Sequence, residues 1–402
     1  VTKSQTNDRR HQRLSLFALA LGSFVISTSE FASMGLMPLF ADDLKLTVPQ
    51  ATNGITAYAL GVVIGAPLLT VVAAKLNKRS LLLALMALAL LANLFSALAA
   101  NLGMLIAGRF LSGLPQGAYF GAAAVVATQI VGAKQGGRAV ALIMSGITIS
   151  TIIGAPIGTL IGQLFGWRIA YGTISALSVL SVLALLSWLP DSDDFNGGSI
   201  RQELSALRRG NVWGMMLVSA LTVASVFSVY TFVGPLVTEV AGMSPTVTPF
   251  ALSLIGIGMA LGNVLGGRLA DLYAFRGMVL GFIATLVFLA LMGTFAHVPL
   301  VLLATLTGMG FTMMVAAPSI PLQMMKMAPE APTLMGALNM ASFNVANAIG
   351  AAVGGTTIHA GYGFVSPIWA GFILTSSGLV VFALLYRHMT PGKASVVEAT
   401  SH

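Results

Sequence analysis

The 402-residue chain is 56% hydrophobic and only 8% charged, with 44 glycines and a formal net charge of +8. That balance excludes a water-soluble globular domain and a disordered chain, and it makes the protein an integral membrane protein. With no cysteine there are no disulfides, no thiolate metal sites and no thiol nucleophiles.

A helix needs about 20 apolar residues to cross a hydrocarbon core of roughly 30 Å. Twelve runs satisfy that length in chain order: 16–38, 52–74, 81–100, 104–130, 139–163, 170–189, 213–238, 247–270, 278–296, 299–324, 334–358 and 365–386. Arg9, Arg10 and Arg13 precede the first run. That run is too long for the core of a secretory signal and lacks a small-residue cleavage site, so it reads as the first span. The only long polar linker, 190–211, divides the spans six and six. The expected organisation is therefore an all-α membrane protein: a bundle over 1–189, a cytoplasmic linker over 190–211 and a second bundle over 212–402.

Positive residues mark the cytoplasmic face of a membrane protein. Seventeen of the 20 Lys and Arg fall in one alternating set of segments, which includes both termini. Of the other three, Lys45 and Arg168 lie in or beside loops of the opposite face, and Arg109 lies within the fourth span. Both termini are then cytoplasmic, as an even number of spans requires. The basic residues line one membrane face, so the net charge is not a nucleic-acid signal.

The halves repeat each other. Gly61, Gly65 and Arg79 recur 197 residues later as Gly258, Gly262 and Arg276, and Pro38 recurs as Pro235, each proline expected to close its span. The stretch GAPIGT at 154–159 meets GAAVGG at 350–355. Agreement at nearly constant offset in three places argues for a duplicated six-helix unit. Paired halves around a midplane cavity are a common architecture for alternating access.

Glu30 is the single charged residue between Leu14 and Phe40. It lies roughly 21 Å into the core at 1.5 Å per residue, and Arg109, by the same rise, roughly 7.5 Å from the outer end of its span. The two are at similar depth. Facing lipid, each would cost about 2.5–3.5 kcal/mol, so both should point inward. One use is a structural ion pair that fixes two helices. The other is a proton site: burial and a nearby guanidinium act in opposite senses on a carboxyl group, so moving Arg109 would switch its proton affinity. The repeat partner of Glu30 is Phe227, which carries no charge, and proton handling is therefore expected in the first half, with the second contributing more to substrate shape.

Ser23, Ser27 and Met34 share the Glu30 face of the first span at helical spacing. Further cavity candidates are Gln116 and Tyr119 in the fourth span, Phe227 and Tyr230 in the seventh, and Asn339, Asn344 and Asn347 in the eleventh. The amides could equally serve as hydrogen bonds between helices. One acid among amides, aromatics and thioethers suits a small amphipathic compound, neutral or cationic. Phosphate-binding lysine loops, paired histidines and nucleophile elbows are all missing, so ATP-driven transport, a metal site and enzymatic catalysis have no support. No cofactor is expected beyond the proton gradient.

The motifs TSEF and GLMP in the first span, GRFLSGLPQGAYFG at 108–121, GAPIGTLIG at 154–162 and GNVLGGRLAD at 262–271 together resemble the Major Facilitator Superfamily. Within it they resemble the twelve-span drug:proton antiporters of the arabinose-efflux type. The resemblance implies two pseudosymmetric six-helix bundles that rock about a central site, acting as a monomer in the bacterial cytoplasmic membrane. It also implies proton coupling or substrate binding at the positions of Glu30 and Arg109. Gly146, Gly154, Pro156, Gly158 and Gly162 match the fifth-span pattern that exporters carry. Lys75, Lys78, Arg79, Arg268, Asp271 and Arg276 match a cytoplasmic charge clasp. Ala74 replaces the clasp's first acid, so the clasp is expected to depend more on Asp271, and Gln116 stands where the family often has His. The expected activity is proton-coupled export of a drug or sugar-like metabolite, with an uptake symporter or uniporter of the same fold as the alternative.

Overall fold

In the computed structural model the described residues are 3–72, 76–132, 136–191, 208–273, 275–328 and 332–389, and they are helical almost throughout. The first half contains α1 (Lys3–Asp43), α2 (Val48–Val72), α3 (Lys78–Ala97), α4 (Leu102–Gly113), α5 (Pro115–Val131), α6 (Gly136–Ile149), α7 (Ala155–Phe165) and α8 (Trp167–Trp188). The second contains α9 (Gly210–Tyr230), α10 (Thr248–Tyr273), α11 (Phe275–Phe295), α12 (Pro299–Ala316), α13 (Ser319–Met327), α14 (Pro332–His359) and α15 (Ser366–Met389). Among the described residues, eleven helical stretches are long and apolar enough to cross a membrane. The twelfth expected stretch, 334–358, lies within the single helix α14 but is not among those eleven.

Prolines set most of the interruptions. Pro115 has no N–H for the carbonyl four residues back, and the fourth span breaks at Leu114 into α4 and α5. Pro318 separates α12 from α13, and Pro156 follows a π-turn at Ser150–Gly154 between α6 and α7. Pro38 behaves differently from the expectation. It does not close the first span, because α1 runs through it to Asp43. Its repeat partner Pro235 does lie at a break: α9 ends at Tyr230, and a short turn and a π-turn carry the chain to Val240.

The repeat seen in the sequence holds at the level of contact. A methyl group on Gly61 would strike the Phe110 carbonyl, and one on Gly258 would strike that of Thr307. Gly65 meets the Leu114 carbonyl and Gly262 that of Phe311, while Gly113 meets the Tyr58 carbonyl and Gly310 that of Ile255. Every partner is displaced by the same 197 residues. Small residues let α2 lie backbone to backbone on α4, and α10 on α12. The halves meet along α2 with α14 and along α7 with α10. Leu164, Leu180, Leu261, Leu280, Leu300 and Ile373 stand outward and exposed, a surface that water would not tolerate and lipid does.

Candidate functional site

The fifth-span motif explains how α1 is held. Gly146 lies against Ala20, Ser23 and Phe24, Gly154 against Thr28, Gly158 against Ala32 and Gly162 against Leu36, one contact per turn along α1. Side chains at those glycines would push away the helix that carries Glu30. Pro156 adds a second effect, since it leaves the Ile152 carbonyl without its α-helical donor. Ser253 of α10 donates to that carbonyl at 3.0 Å, and Gly256 comes up against the backbone of Thr151 and Ile152. The motif thus joins α1 on one side and the second half on the other.

Glu30 is buried and held by two amides. Gln116 Nε2 of α5 donates to its Oε2 at 2.8 Å, and Asn347 Nδ2 of α14 donates to its Oε1 at 3.1 Å. Both carboxylate oxygens therefore accept hydrogen bonds, one from each half of the chain. The Gln116 Oε1 and Asn347 Oδ1 atoms are left without partners. A carboxylate accepts only, so it turns both N–H₂ groups toward itself and both amide oxygens away.

Arg109 is buried too, but it makes no ion pair with Glu30. The salt bridges found among the described residues are Arg79 with Asp191 and Arg168 with Asp43. Arg109 Nη1 donates to Ser29 Oγ at 3.0 Å and Nη2 to the Ser29 carbonyl at 2.8 Å. Its guanidinium carbon stands 4.6 Å from the Tyr58 ring centre and 5.2 Å from that of Tyr171. Ser29 Oγ donates in turn to Asn93 Oδ1 at 2.6 Å, and Tyr171 OH donates to Ser33 Oγ. The direct Glu30–Arg109 pair envisaged from depth is absent from this conformation. Arg109 acts on the carboxylate through space only; Ser29 takes its two Nη groups and two tyrosine faces flank it, while its Nε has no partner.

The remaining cavity candidates divide. Ser27, Met34, Phe227 and Tyr230 are buried, Ser27 Oγ and Tyr230 OH have no partner, and the rings of Phe31 and Tyr230 meet edge to face across the two halves. Tyr119 is committed elsewhere, its OH donating to the Leu19 carbonyl at 2.9 Å. Asn344 donates to the Met340 carbonyl of its own helix and keeps Oδ1 unpartnered, as does Asn339. The second half contributes more than apolar shape, since Asn347 touches the carboxylate itself.

Of the clasp residues, Lys75 lies outside the described residues, as do the side chains of Arg268 and Asp271. Lys78 opens α3, and Arg276 stands exposed near the start of α11. Arg79 turns to its own half, donating to the Leu186 carbonyl at 3.0 Å and pairing with Asp191 at 3.4 Å. At the opposite end the halves are in close contact. Gln163 Nε2 donates to the Pro245 carbonyl at 2.7 Å, Gly234 meets Pro38, and Gly355 meets Thr52.

Paired helical halves with glycine-lined seams, a lipid-facing exterior and a buried carboxylate where the halves meet define a multi-pass membrane carrier. Comparison with known proteins gives the family. The family model of the Major Facilitator Superfamily matches residues 19–341 and 216–401, and the chain belongs to that family. It is 35% identical over 369 residues to the inner membrane transport protein YdhP of Escherichia coli K12, covering 91% of this chain and 95% of that one. It is 30% identical over 372 residues to the chloramphenicol resistance protein of Streptomyces lividans, covering 92% and 95% respectively. A crystal structure of a bacterial homologue of the human lysosomal transporter Spinster, inward-facing and unoccupied, superposes with a TM-score of 0.74. It has 15% identity, and the match covers 94% of this chain and 97% of that one. The chain is a multi-pass transporter of the bacterial inner membrane.

Proposed function

We propose that this transporter exports a small amphipathic compound, neutral or cationic, in exchange for protons. Twelve crossings form two bundles, 1–189 and 212–402, joined by a cytoplasmic linker, with both termini in the cytoplasm. The observation that carries the reading is Glu30, a buried carboxylate at the junction of the halves, bonded by amides from both and free of an ion pair within 4.0 Å. A charge kept in so costly a place without a counter-ion in contact suits a group that is neutralised during the working cycle.

In the cycle, the ionised carboxylate helps to recruit substrate from the cytoplasm and the bundles rock. Protons from outside then neutralise Glu30 and displace the compound, and the neutral carrier returns. Arg109, fixed by Ser29, Tyr58 and Tyr171, keeps the ionised form accessible without locking it in a salt bridge. The amide oxygens, Tyr230 and Ser27 offer polar contacts, and Met34 and Phe227 offer apolar surface. A relative named for chloramphenicol resistance supports export of an antibiotic-like molecule, and the chemistry admits a sugar as well.

The test is transport in proteoliposomes under an imposed pH gradient, with chloramphenicol, monosaccharides and lipophilic cations as trial compounds. Export of one class against its gradient by the wild type, and its loss in Glu30→Gln, is the expected result. Glu30→Gln transporting uphill as fast as wild type would overturn the proton-site reading. Movement of substrate with the protons instead of against them would make the protein a symporter.

A further inference from the structure

An exchanger must not change conformation while empty, or substrate and proton fluxes come apart. The bond from Asn347 to Glu30 is placed to prevent that. It joins α14 of the second half to α1 of the first across 317 residues of sequence. Gln116 lies in the same half as Glu30 and stays with the carboxylate however the halves move. Among the described residues, two other side-chain hydrogen bonds cross between the halves, Gln163 to the Pro245 carbonyl and Ser253 to the Ile152 carbonyl, and neither involves a titratable group.

We propose that Asn347 is the coupling latch of this transporter, holding the empty, ionised carrier in its present conformation until a proton or a substrate takes its place on Glu30. The inference rests on the proton-exchange reading above. A hydrogen bond to an ionised carboxylate is roughly twice as strong as one to a neutral acceptor. Protonation therefore weakens the side-chain bond by which Asn347 ties Glu30 to the other half. A substrate hydroxyl or ammonium donating to Oε1 displaces the amide directly. Once displaced, Asn347 can meet that substrate with the Oδ1 it keeps unpartnered here. Both ligands release the same bond, so either one permits the rocking step and an empty ionised site does not. Gln116 is a positioning residue by contrast, because it orients the carboxylate without bridging.

Among the described residues, no other group explains a pH response at this junction. Facing Glu30 are Arg109 from α4, Tyr58 from α2 and Tyr230 from α9, with Tyr171 from α8 against Arg109. The ordinary titration ranges of arginine and tyrosine side chains lie well above pH 8.5. From α5, Tyr119 is tied to the Leu19 carbonyl. The described side chains of α6 and α7 include no ionisable group, and the nearest on α14 is His359, twelve residues away at the helix end.

The test uses the full chain without substrate, and the absence of cysteine makes labelling clean. Leu98→Cys and His297→Cys put nitroxides at exposed positions in the two halves at the closely packed end. Pulsed EPR in nanodiscs then reads their separation at pH 8.5 and pH 5. The expected wild-type result is one distance at pH 8.5 and a second, longer one appearing at pH 5. Asn347→Leu should show both distances at both pH values, a shift in the alkaline ratio of about 10- to 100-fold. Asn347→Ala removes the donor without adding a titratable group and should do likewise. Gly172→Ala, which meets open space, is the control and should keep the wild-type response. A single alkaline distance in both Asn347 variants, or unlocking by Gly172→Ala as well, would overturn the latch. Glu30→Gln separates the two ideas. If it too shows both distances at both pH values while the Asn347 variants stay locked, the latch fails alone. A wild-type pH response in Glu30→Gln would sink the proton site and the latch together.

Discussion

The proline of the fifth span creates a vacancy that the other half fills, and the effect can be measured by a double-mutant cycle. Pro156 offers no N–H to the Ile152 carbonyl, and Ser253 Oγ of α10 donates to it at 3.0 Å. Ser253→Ala removes that bond and leaves a carbonyl partly buried between the halves. A lost hydrogen bond is worth about 0.5–1.5 kcal/mol and an unsatisfied buried group about 1–3. Because the site is only half-buried, the expected loss is about 1–2 kcal/mol. In a Pro156→Ala background the helix supplies its own N–H to Ile152, and Ser253→Ala should then cost less than about 0.5 kcal/mol. The coupling is therefore about 1 kcal/mol, well above what distant independent sites show. SDS titration followed by tryptophan fluorescence gives the four stabilities. Equal cost of Ser253→Ala in both backgrounds would refute the assignment of Ser253 to the proline-freed carbonyl.

Two further substitutions probe the frame around Glu30. Gly154→Val directs a branched side chain into Thr28 and the Phe24 ring, and overpacking should cost about 1–3 kcal/mol and most of the transport activity. Gly172→Ala meets open space and serves as the control, and thermal unfolding separates the two. Arg109→Lys keeps the charge but cannot donate to Ser29 Oγ and its carbonyl as a fork, and it gives up the stacking on Tyr58 and Tyr171. A loss of about 2 kcal/mol is expected, together with a transport rate at least roughly tenfold lower. Full transport by Arg109→Lys would show that charge alone suffices there.

Much of this arrangement could be read from residue pattern. Apolar runs of membrane length located the helices, and the 197-residue offset located contacts, because a repeated glycine repeats its close approach. Lone intramembrane charges flagged Glu30 and Arg109 by cost alone. What the pattern withheld is direction around the helix axis. Depth arithmetic put the two charges at one level, yet Ser29, a residue before Glu30 and about 100° away around the helix, takes the guanidinium. The bond between Glu30 and Asn347 was out of reach for a related reason. No local signal relates residues 317 apart, and pseudosymmetry pointed to Phe227 instead. Pro38 also shows the limit of analogy between the halves, since the same residue at matching positions follows a helix break in one half and sits inside a continuous helix in the other.

The central claim is that Glu30 exchanges a proton for substrate, and proton release on binding tests it most directly. Purified protein in weakly buffered detergent is challenged with a panel of sugars and lipophilic cations while pH is recorded, beside Glu30→Gln. The account predicts release by one compound class in the wild type and none in the variant. Binding without proton release, or release that survives Glu30→Gln, would contradict it.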